Sequence, residues 1–169
     1  MDIRIMKGDI TDVTEGLILH GCNDTGAMGS GVALAISNKW PLVRQSYLKM
    51  FEMADAKNQK IRLGQTQYVK VSTGLIVANG ITQSGFGSDG GKYATVEAIE
   101  ECINTVASML VNTKQPAEYR RVHMPQIGGA RGGLNFEVEV MPVIEKMAAK
   151  FPSVTFIVWE YDNRNPLYT

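Results

Sequence analysis

Most of the 17 glycines in this 169-residue chain gather in three places, residues 26–31, 85–91 and 128–133. Each cluster follows a short apolar run that reads as a strand. Glycine at such a point lets backbone N–H groups approach an anion with no side chain in the way, and a helix starting directly afterwards adds its positive end. Gly26-Ala27-Met28-Gly29-Ser30-Gly31 meets both conditions: Leu17-Ile18-Leu19-His20 precedes it, and Val32-Ala33-Leu34 opens a helix. It is no Walker A loop, because no Gly-Lys-Ser/Thr follows, and its spacing does not give the dinucleotide fingerprint. One isolated cluster reads equally as a turn that needs glycine. Two further clusters at corresponding strand ends favour a phosphate cradle.

Between the clusters the pattern alternates. Residues 3–6 read as a first strand, and a second at 17–20 stops at Gly21. Pro41 ends the helix begun at Val32, and Val43, Tyr47, Met50 and Phe51 mark the inner face of another over 42–55. Residues 67–71 and 75–78, separated by Ser72-Thr73-Gly74, read as an antiparallel hairpin. Val96, Ile99, Ile103, Val106 and Leu110 form one apolar stripe of a helix over 95–112. A strand at 121–124, a helix over 135–150 disturbed by Pro142, and a last strand at 154–159 follow. Strands alternating with helices, plus one hairpin, predict an α/β fold with a central mixed sheet and helices on both faces, a three-layer α/β/α sandwich. Ligands bind such sheets where loops leave the carboxyl ends of strands, so the glycine clusters are expected to converge on one crevice.

The length suits a single domain over residues 1–169. Seventeen basic side chains balance 17 acidic ones, which argues against a general attraction to nucleic acid or an anionic membrane. The N-terminus lacks the basic and apolar regions of a secretion signal, and no run approaches the roughly 20 apolar residues of a membrane span. Cys22 and Cys102 have no partners at metal-ligand spacing. Neither a zinc site nor a disulfide framework is indicated, nothing calls for a cofactor, and a reducing cytoplasm is the expected location.

Several polar residues sit at the predicted strand ends, each with two readings. Asp9 either accepts an exocyclic amine, such as that of adenine, or caps a turn. Asn23 suits a sugar diol, and equally an ordinary turn. Arg131, within Gly128-Gly129-Ala130-Arg131-Gly132-Gly133, offers a fork-shaped cation for phosphate or ribose hydroxyls, or faces solvent. His20 reads as a satisfied core histidine or as a group that activates water or donates a proton. His123 has no neighbouring ligand in sequence, and a structural role is expected of it.

Taken together these segments resemble the macro domain family, whose members bind ADP-ribose and in some cases cleave bonds at its distal ribose. The resemblance covers nearly the whole chain. It is carried by Gly8-Asp9-Ile10, by Leu19-His20-Gly21-Cys22-Asn23 and by Gly29-Ser30-Gly31-Val32-Ala33. By that resemblance Asp9 binds the adenine amine, Ile10 supports it through its backbone, Asn23 holds the distal ribose, and residues 29–33 cradle the diphosphate. Met124-Pro125-Gln126-Ile127 and the glycines after it resemble the second ligand loop, which adds Gly128, Gly129, Ala130, Arg131 and Gly132. Trp159 or Tyr161 is the candidate to stack on adenine, with core packing as the alternative.

Within the family, His20 before Asn23, the loop from Thr82 through Ser84 to Gly87, and the Met124 to Ile127 segment are most similar to ADP-ribose 1″-phosphate phosphatases. A second branch removes ADP-ribose from acidic side chains with a lysine in the middle loop and an aspartate in the last; Gln83 and Gly132 occupy those places. The resemblance therefore implies a phosphatase with His20 as the catalytic group and Thr82 and Ser84 among the ligand contacts. A non-catalytic module that reads free or protein-linked ADP-ribose is the alternative, followed by a hydrolase of O-acetyl-ADP-ribose or of ADP-ribosylated acidic side chains.

Overall fold

The computed structural model describes residues 1–29, 31–85, 91–129, 132–161 and 167. Its strands are β1 (Ile3–Lys7), β2 (Gly16–Asn23), β3 (Thr66–Ser72), β4 (Leu75–Gln83), β5 (Arg121–Pro125) and β6 (Thr155–Glu160). They form one sheet in the order β1-β6-β5-β2-β4-β3. Every neighbouring pair is parallel except the β3–β4 hairpin. The five parallel strands therefore end along the same edge, and their outgoing loops share one side of the sheet.

Alternation along the strands sends side chains to two separate cores. Leu17, Leu19, Val122, Met124, Phe156 and Val158 pack beneath α3 (Val96–Asn112) and α4 (Met141–Lys150). Ile18, Cys22, Val77 and Ile81 pack on the opposite face beneath α1 (Gly31–Lys39) and α2 (Pro41–Ala56), with Ile36, Val43 and Tyr47 supplied by the helices. These are the three layers expected from the sequence. The stripe on α3 is buried from Ile99 to Leu110 and partly buried at Val96, and Thr95 caps the helix by accepting from the Ala98 N–H.

Two strands run further than the sequence reading: β4 passes Ala78 and ends at Gln83. β2 likewise does not stop at Gly21 but runs on to Asn23, with a register shift between Cys22 and Asn23. Pairing with β4 decides this, because the backbone of residues 21–23 finds its hydrogen-bond partners on that strand. Beside Pro142 the helical run is irregular, as expected. A π-helical turn, Phe136–Val140, precedes α4, so the proline falls in the first turn of α4, where its missing N–H costs nothing.

No helix among the described residues is long and apolar enough to cross a membrane.

Candidate functional site

The loops after β1, β2, β4 and β5 do meet at the common strand edge. The loop after β2 is held to β4 by the Asp24 N–H, which donates to the Gln83 carbonyl at 3.1 Å. The loops after β4 and β5 are clamped together more tightly. The Tyr93 and Ala94 N–H groups both donate to the Gly132 carbonyl at 2.9 Å, and within the loop after β4 the Ser84 N–H donates to the Tyr93 carbonyl at 3.0 Å.

Open backbone remains at the start of α1. Added methyl groups at Gly29 and Gly31 would meet nothing within 4 Å, and Gly31 has a φ of +61°. The N–H groups of a first helical turn have no partner within the helix, and the helix dipole adds partial positive charge there. Val32 and Ala33 continue the turn and pack against the α1/α2 core, which fixes its position. Ser30 lies outside the described residues, as do Ala130 and Arg131.

The third cluster is used differently. The Gly129 N–H donates to the Gln126 carbonyl and the Gly132 N–H to the Gly129 carbonyl, while the Gly128 carbonyl accepts from Leu134. Each amide carries one hydrogen, and those of Gly129 and Gly132, both expected as ligand contacts, are spent inside the loop. Gly128 turns toward Ile99 and Leu134 and supports the loop from below.

At the β1 end, Asp9 caps the short turn Ile10–Asp12. Its Oδ1 accepts from the Thr11 N–H at 2.9 Å and from the Thr11 hydroxyl at 2.7 Å. Ile10 is buried in the α1/α2 core. Trp159 stands beside this turn, with its ring edge against Gly8 and its indole N–H donating to His123 Nδ1 at 3.0 Å. That bond makes Nδ1 the acceptor and places the His123 proton on Nε2, which faces the Glu15 backbone. Trp159 is therefore a wall of the β1 end as well as a core residue. Tyr161 lies just past β6.

Asn23 is committed to shaping its own loop. Its Oδ1 accepts from the Thr25 N–H, the Thr25 hydroxyl, the Ala27 N–H and the Tyr47 hydroxyl, and its amide donates to the Ala27 carbonyl. Only 6% of the residue is exposed. The turn alternative describes this side chain, and Tyr47 is the buttress that sequence reading missed. A lone aromatic at helical spacing gave no sign that its hydroxyl would reach the Asn23 carbonyl, at 2.7 Å.

His20, expected as the catalytic group, lies inside the protein. The residue is 1% exposed, on the face of β2 that also carries Ile18 and Cys22 beneath α2. Its Nε2 lies 2.5 Å from Asn79 Oδ1, and the Asn79 amide donates onward to Gln67 at 3.0 Å and to the Val43 carbonyl at 3.4 Å. That orientation of Asn79 makes His20 Nε2 the donor, a neutral imidazole inside a buried network. Thr82, expected as a ligand contact, is likewise 0% exposed. Ser84 is exposed at the rim, and its hydroxyl donates to Asp24 at 3.0 Å.

Gln83 and Gly132 are neighbours in space: a methyl group on Gly132 would lie 3.5 Å from Gln83 Oε1. The Gln83 amide donates to the Gly85 carbonyl at 2.8 Å.

Burial holds His20 and His123 near pKa 4, well below the ordinary 6.5, with Arg121 adding to the shift at His123. Both rings fold neutral, while in the unfolded chain both take up protons below about pH 6.5. Stability is therefore expected to be complete above that pH and to fall as the pH drops from 6.5 toward 4. Thermal melting across this range checks it, and a flat profile would mean the rings are open to solvent.

No family model matches the sequence, and no curated protein does. Among solved structures, a protein of unknown function from Bacteroides thetaiotaomicron is 30% identical over 94% of this chain and 98% of its own, with a TM-score of 0.75. A macrodomain protein from Streptomyces coelicolor is 27% identical over 95% of this chain and 100% of its own, also at 0.75. Thermosipho africanus DarTG in complex with ADP-ribose shares the fold at 14% identity and a TM-score of 0.72, over 97% of this chain and 42% of that one. In its six-stranded mixed sheet flanked by helices the chain has the fold of these macrodomain structures, and over nearly its whole length it is similar in sequence to the Streptomyces coelicolor macrodomain protein.

Proposed function

We propose that this protein acts as a single domain that binds ADP-ribose in the crevice and hydrolyses ADP-ribose 1″-phosphate to ADP-ribose and phosphate. The observation that carries the reading is the open backbone at Gly29 and Gly31, set at the positive end of α1. A diphosphate on that helix start puts adenine toward Gly8, Asp9 and Trp159, and the distal ribose toward Asp24, Gln83 and Ser84. The ADP-ribose in the Thermosipho africanus complex supports the choice of nucleotide.

Chemistry at Gln83 and Gly132 favours the phosphate ester as substrate. A lysine amine adds to a sugar carbon to form an imine, whereas a carboxamide nitrogen has no available lone pair for that step. Hydrolysis of a phosphate ester needs no such nucleophile from the protein, only charge stabilisation and an activated water. Two buried thiols, Cys22 and Cys102, fit the reducing cytoplasm in which we place the protein.

Phosphate release from ADP-ribose 1″-phosphate, run beside calorimetric titration with ADP-ribose, tests both parts. Saturable release inhibited by ADP-ribose is expected. Binding without release would make the protein a reader of free or protein-linked ADP-ribose. Turnover of O-acetyl-ADP-ribose or an ADP-ribosylated acidic peptide instead would move it to another hydrolase class. Absence of binding would overturn the reading.

A further inference from the structure

We propose that Asp24 is the catalytic base of the crevice, taking the proton from the water that attacks the distal phosphoryl group, and that Ser84 and Gly85 position its carboxylate. The inference rests on the phosphatase reading above. Asp24 lies directly after the register shift that ends β2, and its N–H extends the pairing with β4 onto the Gln83 carbonyl at 3.1 Å. Its carboxylate reaches the loop after β4 in two further bonds. Oδ2 accepts from the Ser84 hydroxyl at 3.0 Å and Oδ1 from the Gly85 N–H at 3.3 Å.

A carboxylate oxygen accepts along two directions. One bond to each oxygen therefore fixes the group and leaves each a second lone pair. The residue is half-buried, so it is held but open to water. Its charge also falls on Tyr47, where it is one of the smaller causes, behind burial, that raise the phenol's pKa. Two other acid-base candidates among the described residues lie elsewhere. His20 is sealed beneath α2, and Asp9 caps the turn at the β1 end, beside Gly8 and Trp159. Asp24 stands in the loop that leads into the α1 cradle and is fastened to Ser84, next to Gln83.

The step balances without a cofactor. Water oxygen bonds to phosphorus while the bond between phosphorus and O1″ breaks, and its electron pair goes to O1″. The proton lost by water passes to Asp24 and from there to O1″. Phosphate and ADP-ribose leave, and Asp24 is again a carboxylate.

Asp24→Asn tests this, because an asparagine oxygen still accepts from Ser84 or Gly85 but is no base. With purified protein and ADP-ribose 1″-phosphate, kcat is expected to fall by about a hundredfold or more, with calorimetric affinity for ADP-ribose retained. Ser84→Ala, which spares the carboxylate, is expected to lower kcat less. Wild-type turnover in Asp24→Asn, or parallel loss of affinity and kcat, would overturn the base and leave a loop fastener. Should Asp24→Asn melt well below the wild type, Asp24→Glu compared with Asp24→Ala decides, since higher turnover in Asp24→Glu supports a base and equal turnover rejects one. Phosphate release that Asp24→Asn leaves intact overturns this inference alone, whereas a wild-type protein that binds ADP-ribose but releases no phosphate overturns the phosphatase reading with it. One that does not bind overturns the function proposed above.

Discussion

Gly31→Glu is expected to abolish ADP-ribose binding while leaving the fold intact. The Cβ position at Gly31 opens into empty space at the start of α1, so a side chain there projects into the volume assigned to the diphosphate. Folding loses little: a left-handed conformation at φ +61° costs a non-glycine residue roughly 1–2 kcal/mol, partly offset by a negative charge at a helix N-terminus. Binding loses more, because the carboxylate occupies the anion's place and repels it. A weakening of at least a hundredfold, about 2.8 kcal/mol, is expected by calorimetry, with circular dichroism unchanged. Gly31→Ala adds bulk without charge and should weaken binding far less. Retained affinity in Gly31→Glu would show that the diphosphate does not sit on α1.

Gly133→Val should be the most damaging single substitution for stability in the site. Gly133 has a φ of +77°, and a Cβ built there collides with the Gly91 carbonyl oxygen. The obstacle is backbone and cannot swing aside like the end of a side chain. Left-handed strain and overpacking together cost about 2–4 kcal/mol, a drop of roughly 5 to 15 °C in melting temperature for a chain of this size. Relief requires the loops after β4 and β5 to separate, which breaks the bonds from Tyr93 and Ala94 to the Gly132 carbonyl. Faster amide exchange at those two residues is the specific signature. An unchanged melting curve would mean that the loops are not clamped at this point.

Much of this architecture was legible in the sequence. The stripe on α3 and the β3–β4 hairpin are local patterns, repeated at the helical and strand periods, and each survived folding with boundaries moved by a few residues. The glycine clusters were legible because a strand, a glycine loop and a helix start occur in sequence order. Their meeting at one edge follows from the parallel arrangement of β1, β2, β4, β5 and β6.

The chemistry of single polar residues was not legible, and the reason is physical. His20, Asn23 and Thr82 each carry groups able to serve a ligand, but what such a group does depends on what lies opposite it. The partner is distant in sequence for His20, which meets Asn79, and for Asn23, which meets Tyr47. Thr82 is closed off by burial alone. Asp24 was passed over for the converse reason. Within Asn23-Asp24-Thr25-Gly26 it reads as an ordinary turn residue, and only the approach of Ser84, 60 positions later, holds its carboxylate at the rim.

The sequence by itself determined the order of elements, the faces they bury and the place of the glycine loop that leads into α1, since hydrophobic period and glycine placement act over a few residues. Only the tertiary structure decided which polar groups are spent inside the protein and which are offered to a ligand. A hydrogen-bonding group is satisfied by whatever the fold brings within about 3 Å of it, and nothing in its neighbours along the chain records what that will be.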